Sequence, residues 1–155
     1  MIPGWKARRE WARLGQQLRA IPEALWEPFA QRAHDAALAR GFPLAKGGIA
    51  LGPKVALVLC WQPNGLAPSF LATLDHLVRN DYAPFVVSNA PLSPADHAVL
   101  APLCWRALER PNFGYDFGGY RDGLRLLRDW GVRPDRLVIL NDSVWFPLWP
   151  DDQTL

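Results

Sequence analysis

The chain reads as an α/β domain of Rossmann-like layout, about four mostly parallel strands flanked by helices, preceded by a helical N-terminal arm. Three observations predict this. Short apolar runs alternate with amphipathic stretches from about residue 55 onward, the pattern of successive βαβ units. The runs Val55–Trp61 and Ala83–Ser88 are continuously apolar rather than alternating, which suits strands covered on both faces. Polar and glycine-rich segments follow the strands, where loops at the carboxyl ends of an open parallel sheet converge on a crevice.

Each element has its own signal. Trp11, Leu14, Leu18 and Ile21 recur at steps of three and four, so residues 5–20 form an amphipathic helix. A second helix over about 22–40 begins at Pro22 and ends at Gly41, with Pro28 interrupting or restarting it. Residues 41–48 form a turn-rich connector, placing the boundary between a helical arm at 1–46 and the α/β domain at 47–155. Val55–Trp61 is the first strand, and Ser69 caps a helix over about 69–80. Ala83–Ser88 is the second strand, with Pro84 near its start, where a missing N–H is tolerated. Ser93-Pro94-Ala95-Asp96 opens the next helix with a cap, a proline at the first position and an acid at the third. Trp105–Arg110 is a weaker third strand, Gly118–Trp130 a helix ended by Gly131, and Arg136–Leu140 the fourth strand. The chain stops fifteen residues later, so the domain is expected to be truncated at its C-terminus.

Composition narrows the function classes. Half of the 155 residues are hydrophobic, enough for one domain with a core. Lys6, Arg8, Arg9, Arg13 and Arg19 against Glu10 give residues 1–20 a charge of +4, leaving −2 for the rest. The main domain therefore lacks the basic footprint of a nucleic-acid binder. Cys60 and Cys104 lie 44 apart with no CxxC, and the three histidines have no ligand spacing, which disfavours a disulfide framework or a zinc site. No apolar run approaches membrane-spanning length, and the N-terminus lacks the apolar core of a signal peptide. The expected setting is cytoplasmic. The basic, tryptophan-bearing arm leaves two readings open: peripheral contact with the inner face of a membrane or an assembly complex, or packing on its own domain.

Two segments carry polar chemistry. Asn141-Asp142-Ser143 stands at the end of the fourth strand. Asp142 is one hard oxygen ligand and Asn141 and Ser143 are weaker donors, a set that suits magnesium or manganese bridging to a diphosphate; the same triplet is also good turn chemistry. After the third strand, Arg110 offers a guanidinium to phosphate or carboxylate and Asn112 an amide to ribose or sugar hydroxyls. Gly114, Gly118 and Gly119 let the backbone approach a ligand, and Asp116 is either a helix cap or a ligand contact. Trp61 and Asn89 stand at the ends of the first two strands; Trp61 either stacks on a base or covers core. The glycine pattern matches neither the dinucleotide G-x-G-x-x-G nor the P-loop.

Arg110-x-Asn112-x-Gly114-x-Asp116-x-Gly118-x-Tyr120, a helix containing Gly123-Leu124, and Asn141-Asp142-Ser143-Val-x-x-Pro147-Leu148 together resemble the rhamnan synthesis protein F family. The likeness extends over about residues 52–150, through Val55–Trp61 and Phe85–Asn89. The resemblance implies a glycosyltransferase-like domain of bacterial surface polysaccharide assembly, with the element order of the nucleotide-binding half of a GT-A fold. It implies a nucleotide-sugar donor such as dTDP-rhamnose, a glycan acceptor and a divalent cation held at Asp142. Asn141-Asp142-Ser143 stands in for an Asp-x-Asp motif, with one carboxylate in place of two. Asp142 and Asp116 are then the expected catalytic residues, with Trp61, Asn89, Arg110, Asn112, Gly114, Asn141 and Ser143 contacting the donor. The alternative is a nucleotide- or glycan-binding module or scaffold without turnover.

Overall fold

The computed structural model describes the backbone of residues 4–149 and 152; within the first helix it describes the side chains of Lys6, Arg9–Trp11 and residues 25–40. The chain divides into two compact units, residues 1–40 and 41–155. The first is a single helix, α1 (Gly4–Arg40). The expected break at Pro28 does not occur: a proline inside a helix removes one i→i−4 hydrogen bond, and here the helix runs on through that loss. The facing of Leu14, Leu18 and Ile21 lies outside the described side chains.

The second unit is a five-stranded sheet with helices on both faces. Its elements are β1 (Leu44–Lys46), β2 (Lys54–Cys60), α2 (Pro68–Arg79), β3 (Tyr82–Ser88), α3 (Pro94–Leu100), β4 (Arg106–Glu109), α4 (Tyr115–Asp129) and β5 (Arg136–Asn141). The strand order is β1-β4-β3-β2-β5. β2, β3, β4 and β5 are mutually parallel, and β1 joins β4 antiparallel through Leu44↔Leu108 and Lys46↔Arg106. The connector expected at 41–48 thus contains a fifth strand. Three residues whose partner lies some sixty positions away leave no periodic trace.

The two faces of β2 and β3 divide the core. Ala56, Val58, Cys60 and Val86 pack with Phe70, Leu74 and Leu77 of α2 and Leu100 of α3. Val55, Leu57, Leu59, Phe85 and Val87 pack on the other side with Leu127, and Tyr120 of α4 adjoins them. Burial on both faces is why these strands read as unbroken apolar runs. Cys60 is fully buried, and desolvation pushes its thiol up to about 12, so it is an inert core group rather than a nucleophile.

Helix starts follow local chemistry, with two corrections. Ser93 caps α3 in a full capping box: its hydroxyl accepts from Asp96 N–H, and the Asp96 carboxylate accepts from Ser93 N–H. Ser69 does not cap α2. Pro68 starts that helix earlier, the N-cap is the extended Ala67, and Ser69 falls inside the first turn. Asp116 likewise does not cap α4, which begins at Tyr115 behind a left-handed Gly114 (φ 68°).

Candidate functional site

The order β4-β3-β2-β5 sends the connections after β2 and β3 toward one outer strand and the next across to the opposite edge. The crevice of such a sheet opens where that direction reverses, between the carboxyl ends of β2 and β5. Trp61 follows β2 there, Asn141 ends β5, and Asp142 follows it.

Asp142 is held to the neighbouring strand. Its N–H donates to Leu59 carbonyl (3.0 Å), and its Oδ2 accepts from Trp61 N–H (2.9 Å). Asn141 Nδ2 donates to Asp116 Oδ2 (3.1 Å), which ties the strand end to the first turn of α4. Asp142 and Ser143 also lie in a turn, with Val144 N–H donating to Asn141 carbonyl (3.3 Å). Asn141-Asp142-Ser143 is therefore a turn, and it sets the Asp142 carboxylate against the Trp61 N–H at the end of β2. Trp61, Ser143 and Trp145 are exposed around this point, so Trp61 does not cover core.

Tyr120 belongs to the same group, although its spacing reads as one more core position. It lies one helical turn after Asp116 on α4. Its phenol is raised above the ordinary tyrosine range, first by burial and then by the charges of Asp116 and Asp142. Both carboxylates thus act on one hydroxyl, which stays neutral and can donate to an oxygen ligand. The i,i+4 spacing from Asp116 was the available signal. Because the folded pKa is raised, the stability linked to neutral Tyr120 is fully present below the usual tyrosine value and is lost as pH rises through the raised one. Absorbance titration of the phenols is expected to show a component in the wild type that shifts to lower pH in Asp116→Asn and vanishes in Tyr120→Phe. An unchanged titration in Asp116→Asn would separate the two groups.

Arg110 is placed differently from the expectation of a phosphate contact. Its side chain is enclosed between β3, β4 and α4 and forms an ion pair, Nε to Asp122 Oδ2 at 2.8 Å, with side-chain exposures of 0% and 1%. The other guanidinium nitrogens donate to Asn89 Oδ1 and the Phe113 carbonyl. Asn89 is buried and spends its amide on this network and on the Tyr115 carbonyl (3.4 Å). These two residues position the loop before α4; they do not face the crevice. A guanidinium at the end of a strand satisfies three acceptors in the fold at once, and burial forces it to do so. Asp122 was missed, since nothing in its spacing links it to Arg110. Asn112 and Gly114 are exposed in that loop.

The glycines of α4 follow from the same closeness. A Cβ on Gly118 would stand 2.1 Å from the Phe113 carbonyl oxygen, and one on Gly119 2.2 Å from Leu59 Cδ1. The first turn of α4 is pressed onto its own loop and onto β2, which brings Asp116 within reach of Asn141.

Beside the carboxylates a cavity of about 360 Å³ opens between α2 and residues 144–149. Ser69, Thr73, Asn141 and Asp142 give it polar walls, and Trp145 and Trp149 aromatic ones. Phe146 anchors the segment: its carbonyl accepts from Thr73 Oγ1, and its ring meets His76 edge-on at 5.1 Å. His76 is accordingly buried.

Residues 85–154 match the family model of rhamnan synthesis protein F. Over this stretch the chain is similar to that family. The matched region runs from within β3 past the end of β5 and so contains Asn89, Asp116, Tyr120, Asn141, Asp142 and Ser143, but not Trp61, Ser69 or Thr73. An uncharacterized protein, y4gN, of Sinorhizobium fredii is 36% identical over 152 residues, covering 97% of this chain and 39% of that protein. The virulence protein VirA of Vibrio anguillarum is 39% identical over 74 residues, covering 46% of this chain and 24% of VirA. The chain therefore spans well under half the length of these curated relatives. No solved structure matches it significantly. Similarity to the rhamnan synthesis protein F family points to polysaccharide synthesis. Among the described residues no helix is long and apolar enough to cross a membrane.

Proposed function

We propose that residues 41–155 are the donor-binding part of a glycosyltransferase of surface polysaccharide synthesis, corresponding to the nucleotide-binding half of a GT-A-like fold. The observation that carries this reading is the pair Asp116 and Asp142, brought together through Asn141 and Tyr120 at the crevice between β2 and β5. Carboxylates, a neutral phenol and an exposed indole suit a ligand with hydroxyls and a flat ring, such as a nucleotide-activated sugar.

Such a donor carries a diphosphate, which two carboxylates repel. With Arg110 enclosed, a divalent cation is the group that reconciles them. The described residues contain no cluster of three or more His, Cys, Asp or Glu side chains, but magnesium and manganese need only one or two carboxylates and complete their shell with waters and substrate phosphates. Asp142 and Asp116 fit that requirement. When bound, the cation supplies charge to the departing diphosphate. Trp61 stacks on the base, and Asn112, Asn141, Ser143 and Tyr120 orient ribose or sugar hydroxyls. The acceptor is a glycan, and the setting is the cytoplasmic side of the cell membrane.

Calorimetric titration with dTDP and UDP, with and without manganese, tests the reading. Saturable, manganese-dependent binding is expected, weakened at least ~100-fold by Asp142→Ala, in line with about 3 kcal/mol for a lost charged contact. Absence of binding in a folded chain would leave a glycan-binding or scaffold module as the better description.

A further inference from the structure

The loop that carries Trp61, residues 61–67 between β2 and α2, is anchored by two carboxylates from outside it. Asp142 Oδ2 accepts from Trp61 N–H at its start (2.9 Å), and Asp96 Oδ1 accepts from Leu66 N–H near its end (3.3 Å). Between these points the loop closes on itself. The Gln62 carbonyl accepts from Gly65 N–H (3.3 Å), and Gln62 Oε1 accepts from Ala67 N–H (2.6 Å). Gly65 turns the chain at φ 100°, a conformation that suits glycine. Because the loop is bonded to itself between its anchors, a displacement at one anchor is passed to the other.

The anchors come from both neighbours of β2. In the order β4-β3-β2-β5, Asp142 follows β5 and Asp96 lies in α3, which follows β3. Cys60, the last residue of β2, registers both. Burial is the main cause of its raised thiol, and the charges of Asp142 and Asp96 each push it further up. Two carboxylates therefore flank the end of this strand.

Asp96 divides its oxygens between two tasks. Oδ2 completes the α3 cap, accepting from Ser93 N–H (2.9 Å) and the Ser93 hydroxyl (2.6 Å). Oδ1 goes to Leu66. Capping at this position needs one acceptor oxygen, which an amide also has. The bond across to the loop is what calls for a second. The Ser93 hydroxyl and N–H, aided by Leu66 N–H and the His97 charge, hold the Asp96 carboxyl below its ordinary range, so both oxygens accept at neutral pH.

We propose that Asp96 is a positioning residue of the crevice: with Asp142 it clamps residues 61–67 and fixes the place of Trp61. The clamp stands on these bonds alone; its effect on a nucleotide rests on the donor-binding reading.

Amide hydrogen exchange of the ligand-free chain, read by NMR, tests the clamp. Asp96→Asn keeps one acceptor oxygen for the cap and turns its NH2 toward Leu66, where donor meets donor. Exchange is expected to quicken at least ~tenfold at Leu66 and also at Trp61, whose own acceptor Asp142 is untouched. Affinity for dTDP with manganese is expected to fall at least ~tenfold. Ser93→Ala is the contrast: it weakens the cap and lowers the melting temperature but leaves Asp96 bonded to Leu66. Its exchange at Leu66 and Trp61 and its nucleotide affinity are expected to stay at wild-type values. Unchanged exchange at Trp61 in Asp96→Asn overturns the clamp, even where Leu66 quickens. Faster exchange at both residues with wild-type affinity overturns the positioning role. If the wild type itself binds no nucleotide, the donor-binding reading fails, and exchange at Trp61 still decides the clamp.

Discussion

Arg110→Met is expected to destabilise residues 41–155 by about 3–5 kcal/mol, the cost of stranding the partner of a buried ion pair. Asp122 would keep a carboxylate with 1% of its side chain exposed and only the longer contact from Arg121 Nη1 to its Oδ1, at 3.4 Å. The Asn89 amide and the Phe113 carbonyl would lose their donors in the same step. Burial lowers the Arg110 pKa while the Asp122 charge raises it, and a guanidinium stays protonated under either influence. Arg110→Lys is expected to rescue little, because an ammonium cannot span three acceptors arranged around a planar fork. Replacing both partners, Arg110→Met with Asp122→Leu, is expected to recover much of the loss, since the stranded charge rather than the missing pair dominates the cost. Urea unfolding of the wild type and these three variants checks this. Similar stability for Arg110→Met and wild type would show the network to be idle. The loss is also expected to be insensitive to salt, because the pair is out of reach of screening ions.

Gly118→Ala is the second large effect. Its methyl would overlap the Phe113 carbonyl oxygen, a backbone atom, at 2.1 Å, with Arg110 Nη2 3.1 Å away. Neither neighbour can yield cheaply, because the carbonyl is fixed by the guanidinium and the guanidinium by Asp122. Overpacking of this kind costs about 1–3 kcal/mol, occasionally more. The strain falls on the turn that carries Asp116, so weaker nucleotide binding is expected along with the stability loss. Gly131→Ala is a useful contrast: its Cβ meets nothing within 4 Å but its φ is +70°, so its cost comes from backbone conformation alone and leaves Asp116 in place. Thermal melts paired with nucleotide titration distinguish the two, and equal binding loss in both variants would show that the position of Asp116 is not what Gly118 protects.

Much of the fold is legible in the residues. The boundaries of β2 and β3 fall within a residue of their apolar runs, because complete burial demands unbroken hydrophobicity. The start of α3 is written in Ser93-Pro94-Ala95-Asp96, a self-contained local motif. The crevice end of the sheet is legible as well, since polar residues gather after apolar strands only where they escape the core. Asp116 does not cap α4: it sits one position inside the helix, and its carboxylate accepts from Asn141 instead.

What the sequence alone determines is whatever is settled by neighbours within one turn or one strand: burial, caps, helix ends, and the family motifs around Asp116 and Asp142. The tertiary structure alone decides the pairings between distant residues. Only the sheet order brings the loop after β4 back beneath α4, so that Arg110, a free cation by composition, turns inward to Asp122 and Asn89. Only the closeness of α4 to β2 makes Tyr120 a neighbour of two carboxylates rather than one more core ring. Only the sheet order sets β5 beside β2, which brings Asp142 to the end of the first apolar strand. Local chemistry sets each element; long-range contact assigns its partners, because a side chain's energy depends on what the fold places within a few ångströms of it.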